Sequence, residues 1–234
     1  MPPEVEVDRP FVYMNMAMTA DGKITSATRE YPTFTSADDK KTMDRLRAEA
    51  DAVLIGAGTM RADDPPLGVR DDDMRAYRRS LGKPEGLINV LVTASLEVDP
   101  AATFFREAAA SRIVATVEDA PAERVRALEE VAEVWKVGRG QVDLAALLDG
   151  LRQRGVERLL VEGGGELNWG FVRDGLLDEL NVTVAPALLG GRDAPTLLEG
   201  DGLIMEARTR LRLVEVNRIG DEIFCRYAVV RDGA

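Results

Sequence analysis

Histidine is absent from the 234 residues, and Cys225 is the single cysteine. The first absence excludes Ser-His-Asp and Cys-His catalysis. Together the two exclude zinc sites of the Cys/His type. With one cysteine no intrachain disulfide can form, which suits a reducing compartment. No apolar run reaches the roughly 18 residues of a membrane helix. The start, Met1-Pro-Pro-Glu-Val-Glu-Val-Asp8, lacks the basic and apolar regions of a signal peptide, so a cytoplasmic location is expected. Basic residues are outnumbered, 30 against 41 acidic for a net charge of −11, which argues against a nucleic-acid-binding face. Any general acid must come from carboxyls, lysine, tyrosine, the lone thiol, substrate or water.

What is present reads as one α/β domain over residues 1–234, with residues 1–10 outside its core. Phe11 to Met18 is a strand signal ending at the turn Asp21-Gly22. Ser36 caps an expected amphipathic helix with early acids and with Met43, Leu46 and Ala50 on its inner face. Ala52 to Ile55, Leu87 to Val92, Arg112 to Val117, Val134 to Val137, Arg158 to Val161 and Leu180 to Ala185 are short apolar runs typical of buried strands. Helices are expected over Ala120 to Val131, from Val142 to near Gly155 on the Leu144, Leu147, Leu148 and Leu151 face, and from the Gly163 turn through Trp169 and Val172. The Gly56 to Asp64 stretch reads as a glycine turn followed by a polar loop, and a weak segment surrounds Phe104. This rhythm predicts a largely parallel central sheet. Leu211 to Ile219 and Ile223 to Val230, joined by Gly220-Asp221, predict a closing antiparallel hairpin.

Two glycine clusters stand where strands should end. Glu162-Gly-Gly-Gly165 offers close backbone approach and a helix N-terminus to a phosphate. It lacks the third glycine of the dinucleotide fingerprint, since position 168 is Asn168. Gly56-Ala-Gly58-Thr59 has no Lys-Ser/Thr following, so it is no Walker loop. Read alone, the first is as compatible with a tight structural connection as with a cradle, and the second reads more readily as a structural turn and a solvated loop. Ligands of open α/β sheets lie across the carboxyl ends of strands, where Arg47, Arg61 and Arg70 could hold phosphate. Asp21, Asp63, Asp64 and Glu162 are the carboxylates beside these turns, and most such acids cap turns.

Met18-Thr-Ala-Asp-Gly-Lys23, Leu46-Arg-Ala48, Gly56-Ala-Gly-Thr59, Ala62-Asp-Asp-Pro65 with Leu67 and Arg70, Val161-Glu-Gly-Gly164, Gly175-Leu-Leu-Asp-Glu179 and Ala185-Pro-Ala-Leu-Leu-Gly-Gly191 occur in one order. With that order and spacing the chain resembles the dihydrofolate-reductase-like pyrimidine reductases of riboflavin biosynthesis, from Phe11 to Val230. The run Glu162 to Gly170 looks most like the stand-alone archaeal reductase, which acts before deamination. The resemblance implies a dihydrofolate-reductase-like three-layer sandwich, NADPH as cofactor, a phosphorylated ribosylaminopyrimidine as substrate and a homodimer. Cofactor positions fall on Thr33, Thr59, Asp63, Gly163, Gly164, Gly165, Glu166, Leu167 and Asn168. Substrate positions fall on Arg47, Leu67, Arg70 and Glu162. No metal is implied. The upstream zinc deaminase of bifunctional relatives, with its His-x-Glu and Pro-Cys-x-x-Cys, is not expected. Departures are Tyr31 and Thr33, where bifunctional enzymes carry Ser-x-Trp, and Thr93-Ala94 in place of Asp-Ser. Glu162 and Asp21 are the candidate proton donors, with Lys23 a weaker one. The alternatives are an NADPH-dependent reductase of another pterin- or pyrimidine-like substrate such as dihydrofolate, and a non-catalytic nucleotide-binding sensor.

Overall fold

The computed structural model describes residues 8–29, 34–106 and 111–231. β1 (Phe11–Thr19) leads to α1 (Ala37–Glu49), β2 (Ala52–Gly56), α2 (Ala57–Asp63), α3 (Asp72–Ser80), β3 (Ile88–Val92), α4 (Thr103–Arg106), β4 (Arg112–Thr116), α5 (Ala122–Glu129) and β5 (Glu133–Lys136). Then come α6 (Leu144–Gln153), β6 (Arg158–Val161), α7 (Gly165–Arg173), β7 (Glu179–Ala185), a 3₁₀ turn at Met205–Ala207, β8 (Arg210–Ile219) and β9 (Glu222–Val230). All nine strands form one sheet in the order β5-β4-β3-β2-β6-β1-β7-β9-β8. The seven from β5 to β7 run parallel, and β9 and β8 close the edge antiparallel, as the hairpin pattern predicts.

The core lies in two layers. Tyr13, Leu46, Val53, Ile55, Leu91, Val114 and Leu160 pack on the α1 side of the sheet. Val12, Met14, Leu54, Val90, Leu147, Leu151, Leu159 and Phe171 pack on the α6 and α7 side. Strands buried on both faces carry apolar residues at every position, which is why β2 and β6 stand out as continuous runs.

One expectation is corrected, and one helix comes without any expectation. Residues after Gly56 continue as helix α2 rather than a polar loop, with Met60 buried as its inward anchor. The charged stretch Asp72–Ser80, to which the apolar pattern assigns no element, is helix α3, capped by Asp71, whose side chain accepts from Asp73 and Met74 N–H. Its inward residue is Arg78, fully buried, donating to the carbonyls of Arg47, Ala48, Ala50, Pro84 and Gly86. A helix anchored by a guanidinium instead of an apolar stripe hides from hydrophobic periodicity.

Candidate active site

β1, β2 and β6 are neighbours at the centre of the sheet, and their carboxyl ends carry the site. β1 is interior, and Val12–Met14 and Thr19 are buried, yet Asn15 to Met18 between them are half-buried, so the sheet is partly open there. Glu162 directly follows β6. Its Oε1 accepts from Arg47 Nε at 2.8 Å and its Oε2 from Arg47 Nη2 at 2.7 Å. Arg47 Nη1 donates to the carbonyls of Pro66 and Gly68 at 3.0 and 3.2 Å. Arg47 is 2% exposed and Glu162 10%, so the pair is desolvated and bidentate, the stronger kind of ion pair. It ties α1, β6 and the 66–68 segment together. Sequence placed Arg47 against a substrate phosphate; its donors are instead directed mainly at Glu162 and backbone. Each Glu162 oxygen keeps acceptor capacity for a ligand N–H or O–H.

The two glycine turns meet. Gly56 N–H donates to Gly163 O at 2.8 Å, and Thr59 Oγ1 lies 3.4 Å from where a Gly164 side chain would begin. α7 starts at Gly164 with no side-chain cap, so its first-turn amides face outward for an anion. The glycines differ in purpose. Gly163 has φ +90° and a Cβ there would meet Met16 Sδ at 2.9 Å. A Cβ on Gly165 would meet Glu199 Cγ at 2.6 Å and Thr196 O at 2.8 Å. Those two are glycines because the protein packs against them; Gly164 alone borders the open turn. Glu166 is exposed on the first turn of α7, and Leu167 packs against Gly56. Asn168 is buried; its Nδ2 donates to Leu197 O at 2.9 Å, while its Oδ1 has no partner among the described residues.

The other expected residues divide. Leu67 is wholly buried beside Tyr13 and Leu46, so its side chain is core and only its backbone could meet a ligand. Arg70 is exposed, with no side-chain hydrogen bond or ion pair to a described residue, while its N–H donates to Asp44. Asp63 ends α2 at the surface, where partial desolvation pushes its carboxyl up. Asp64, in the left-handed region at φ 40°, accepts from Thr103 N–H at 2.7 Å and so anchors α4. Thr33 and Tyr31 lie outside the described residues. Thr93 is buried and accepts from Leu96 N–H, a structural turn.

Asp21 is corrected. Its oxygens accept from Thr19 Oγ1 at 2.6 Å and from Gly190 and Leu189 N–H at 2.6 and 3.2 Å. These bonds, Thr19 first, lower its pKa to about 2, so it has no proton to give near neutral pH. It clamps the turn after β1 to the 187–190 loop. Lys23 Nζ donates to Ala194 O at 2.8 Å and retains further donors.

Beside α2 a surface hollow of about 510 Å³ is lined by Arg61, Leu96, Glu97 and Arg124. Sequence reading missed Asp39 and Glu222, which come together with Thr183 and Ser36 over the open half of β1. Among the described residues no group of three or more acidic or cysteine side chains could hold a metal.

Fold and site define an α/β protein whose two glycine turns and buried Arg47–Glu162 pair meet at the carboxyl ends of its central strands, the place where open α/β sheets take their ligands. The chain belongs to the RibD C-terminal domain family, whose model matches residues 10–225. It is 38% identical over 213 residues, 91% of this chain and 95% of the relative, to the 2,5-diamino-6-ribosylamino-4(3H)-pyrimidinone 5′-phosphate reductase of Archaeoglobus fulgidus. It is 36% identical over 222 residues to the enzyme of the same name from Methanothermobacter thermautotrophicus, covering 94% of this chain and 99% of that one. The fold is shared with a pyrimidine reductase-like protein from Corynebacterium diphtheriae, with a TM-score of 0.84 at 24% identity over 98% of this chain and 96% of that one.

Proposed function

We propose that the chain is an NADPH-dependent cytoplasmic reductase that converts the ribosylamino group of 2,5-diamino-6-ribosylamino-4(3H)-pyrimidinone 5′-phosphate, or of its deaminated form, to ribitylamino in riboflavin biosynthesis. The observation that carries the reading is the buried Arg47–Glu162 pair set beside the uncapped start of α7. It gives a fixed acceptor for substrate next to a phosphate-sized anion cradle. High identity to two reductases across nearly the whole chain supports the same reaction.

The residues present fit a dinucleotide. The first-turn amides of α7 suit a phosphate, Gly164 leaves Thr59 uncovered, and Asn168 Oδ1 is a buried acceptor awaiting a donor. Reduced nicotinamide, when bound, supplies a hydride. Thr59, Gly164 and the α7 amides hold it, with Asp63 at the rim of the turn. Arg70, exposed and uncommitted, takes the substrate phosphate. Glu162 accepts from the sugar or pyrimidine, and Arg47 is the positioning residue that fixes the Glu162 rotamer.

The substrate step needs the ribosyl ring opened to an imine. Hydride then joins C1′, the C=N pair moves to nitrogen, and a proton completes the amine. Glu162 orients that carbon in the site, a matter of positioning more than of acid–base strength. With Asp21 ionised and Glu162 held as a carboxylate by Arg47, the proton comes from Lys23 or water.

A second copy completes the molecule. On β8 and β9 the face bearing Leu211, Leu213, Val216 and Ile223 is exposed, and the outer edge of β8 pairs with no described strand. A long apolar edge of this kind is covered in stable proteins, and a two-fold partner covers it symmetrically. The test of the reaction is NADPH oxidation with the diamino and deaminated phosphates and with dihydrofolate side by side. Loss with either pyrimidine supports the reading; loss with dihydrofolate alone, or with none, overturns it.

A further inference from the structure

After β7 the chain runs from residue 186 to 204 with no helix or strand of its own before the 3₁₀ turn. Connections this long inside a compact fold are uncommon and most often functional. The hydrogen bonds of this one show what it does. Its first half is bonded to the turn after β1. Ala20 N–H donates to Ala187 O at 2.9 Å, Ile24 N–H to Pro195 O at 3.0 Å and Lys23 Nζ to Ala194 O at 2.8 Å. Lys23 also pairs with Thr196 in an isolated antiparallel bridge. The second half is bonded to the first turn of α7. Glu199 N–H donates to Gly165 O at 3.0 Å, and Asn168 Nδ2 donates to Leu197 O at 2.9 Å. Gly200 then lies against Trp169, where a Cβ would fall 2.2 Å from the indole Cδ1. Residues 194–199 thus form a strut between the β1 turn and α7.

One side chain closes the strut. Thr196-Leu-Leu-Glu199 has the pattern of a capping box, in which the acid accepts the threonine N–H and the threonine oxygen accepts the N–H of the acid. Here the first bond is made and the second is not. Thr196 N–H donates to Glu199 Oε1 at 2.6 Å. The Thr196 hydroxyl, with one proton to give, stands 2.7 Å from the same oxygen and 2.8 Å from Leu198 O. No helix follows, and the Glu199 N–H goes to Gly165 of α7 instead. Glu199 therefore braces the strut by its side chain and docks it on α7 by its backbone. Both side-chain contacts fall on Oε1, an acceptor that glutamine keeps and alanine lacks. The strut meets chemistry at both ends. At one end it holds Lys23, a proton source for the substrate step. At the other it sets which way the Asn168 amide faces, and so leaves Oδ1, without a partner among the described residues, as the acceptor that α7 offers.

We propose that Glu199 is a positioning residue: by bracing residues 194–199 it holds Lys23 and the cofactor turn of α7 in one fixed relation, so that proton and hydride reach the two ends of the same C=N bond. The inference rests on the function proposed above and adds the element that aligns its two donors. The hydride joins C1′ and the proton joins the nitrogen, so the two groups must arrive on one bond from separate parts of the chain. A misplacement of about 1 Å in such an arrangement costs on the order of 100-fold in rate. Substrate affinity is carried elsewhere, since neither Arg70 nor Glu162 bonds to the strut among the described residues.

The experiment compares Glu199→Ala with Glu199→Gln in a Trp135→Phe background, where Trp169 is the one remaining tryptophan and reports on the strut through Gly200. Glu199→Ala is expected to shift Trp169 emission before any ligand is added and to weaken NADPH binding roughly 10-fold by fluorescence titration. Its kcat is expected to fall about 10²-fold while KM for the diamino pyrimidine phosphate stays within about twofold. Glu199→Gln is expected to restore emission, affinity and kcat to those of the background. A Glu199→Ala variant with the kcat and NADPH affinity of the background overturns the proposal. So does a Glu199→Gln variant no better than alanine, or a loss in which KM rises as far as kcat falls. Amide hydrogen exchange of the unmodified chain, read by NMR, carries the test even if the alanine variant does not fold. NADPH is expected to slow exchange at Ile24, whose N–H ends on the strut, as well as in α7; protection confined to α7 overturns the strut. An unmodified chain that neither binds nor oxidises NADPH overturns the reductase reading and the role of Glu199 with it.

Discussion

At the residue scale the Arg47–Glu162 pair does most to shape the site, and it couples stability to function. Arg47→Ala leaves the Glu162 carboxylate without its counter-charge and the Pro66 and Gly68 carbonyls without donors. Breaking a buried pair from one side costs about 3 kcal/mol or more, here a fall in Tm of roughly 6–12 °C by calorimetry. Glu162→Gln keeps one acceptor toward Arg47 and sets its NH2 against the other guanidinium donor; NADPH binding, which lies at the α7 turn, is expected to survive while kcat falls about 10²-fold, and unchanged kcat would make Glu162 a turn residue only. Arg70→Ala should raise KM for the phosphorylated substrate far more than for its dephosphorylated analogue, because its guanidinium has no partner to lose among the described residues. Asp21 gives a pH signature. Its folded pKa of about 2 lies below the ordinary aspartate value of 3.8, so its contribution to stability is present above pH 4 and fades as pH falls toward 2. Tm profiles of the unmodified chain and Asp21→Asn should therefore differ at pH 5 and converge near pH 2. Glu162 and Arg47 were both legible in the sequence, but their union was not. Nothing in a spacing of 115 positions announces a bidentate contact.

The element scale shows what periodicity can and cannot see. β2 and β6 are bare apolar runs because neighbours cover both faces, and α6 carries four buried leucines on one stripe. Each announces itself. α3 does not, since its anchor is Arg78 under a set of carbonyls, and α2 hides behind a glycine pair that reads equally well as a turn. The glycine turn at α7 was legible as a cradle, but not which glycine serves the ligand. Gly165→Ala is expected to destabilise the fold, because its Cβ would fall within 2.8 Å of Thr196 O, a backbone atom that cannot swing away. Gly164→Val is expected to leave Tm nearly unchanged yet abolish NADPH binding, with its branches placed against Thr59. Fluorescence quenching titrations on both variants separate the two effects; tight cofactor binding by Gly164→Val would remove the cradle argument.

For the whole molecule, a sheet that is partly open along β1 and an apolar hairpin at its far edge assign different tasks to different ends. The antiparallel closure was readable from two alternating segments about a Gly-Asp turn, whereas the exposure of its apolar face emerges only once the chain is folded. Val216→Glu on that face should convert a dimer to a monomer in sedimentation, and a monomeric unmodified chain would contradict the partner proposed for it. No described helix is long and apolar enough to cross a membrane. The central claim is that this site passes a hydride to a ribosylaminopyrimidine phosphate. The direct measurement is the loss of NADPH absorbance with the diamino and deaminated substrates under identical conditions. The account predicts oxidation with the diamino form, fastest of all substrates offered, and ribitylamino product in equal amount. NADPH left intact with both pyrimidines, in a chain that still binds it, would contradict the account.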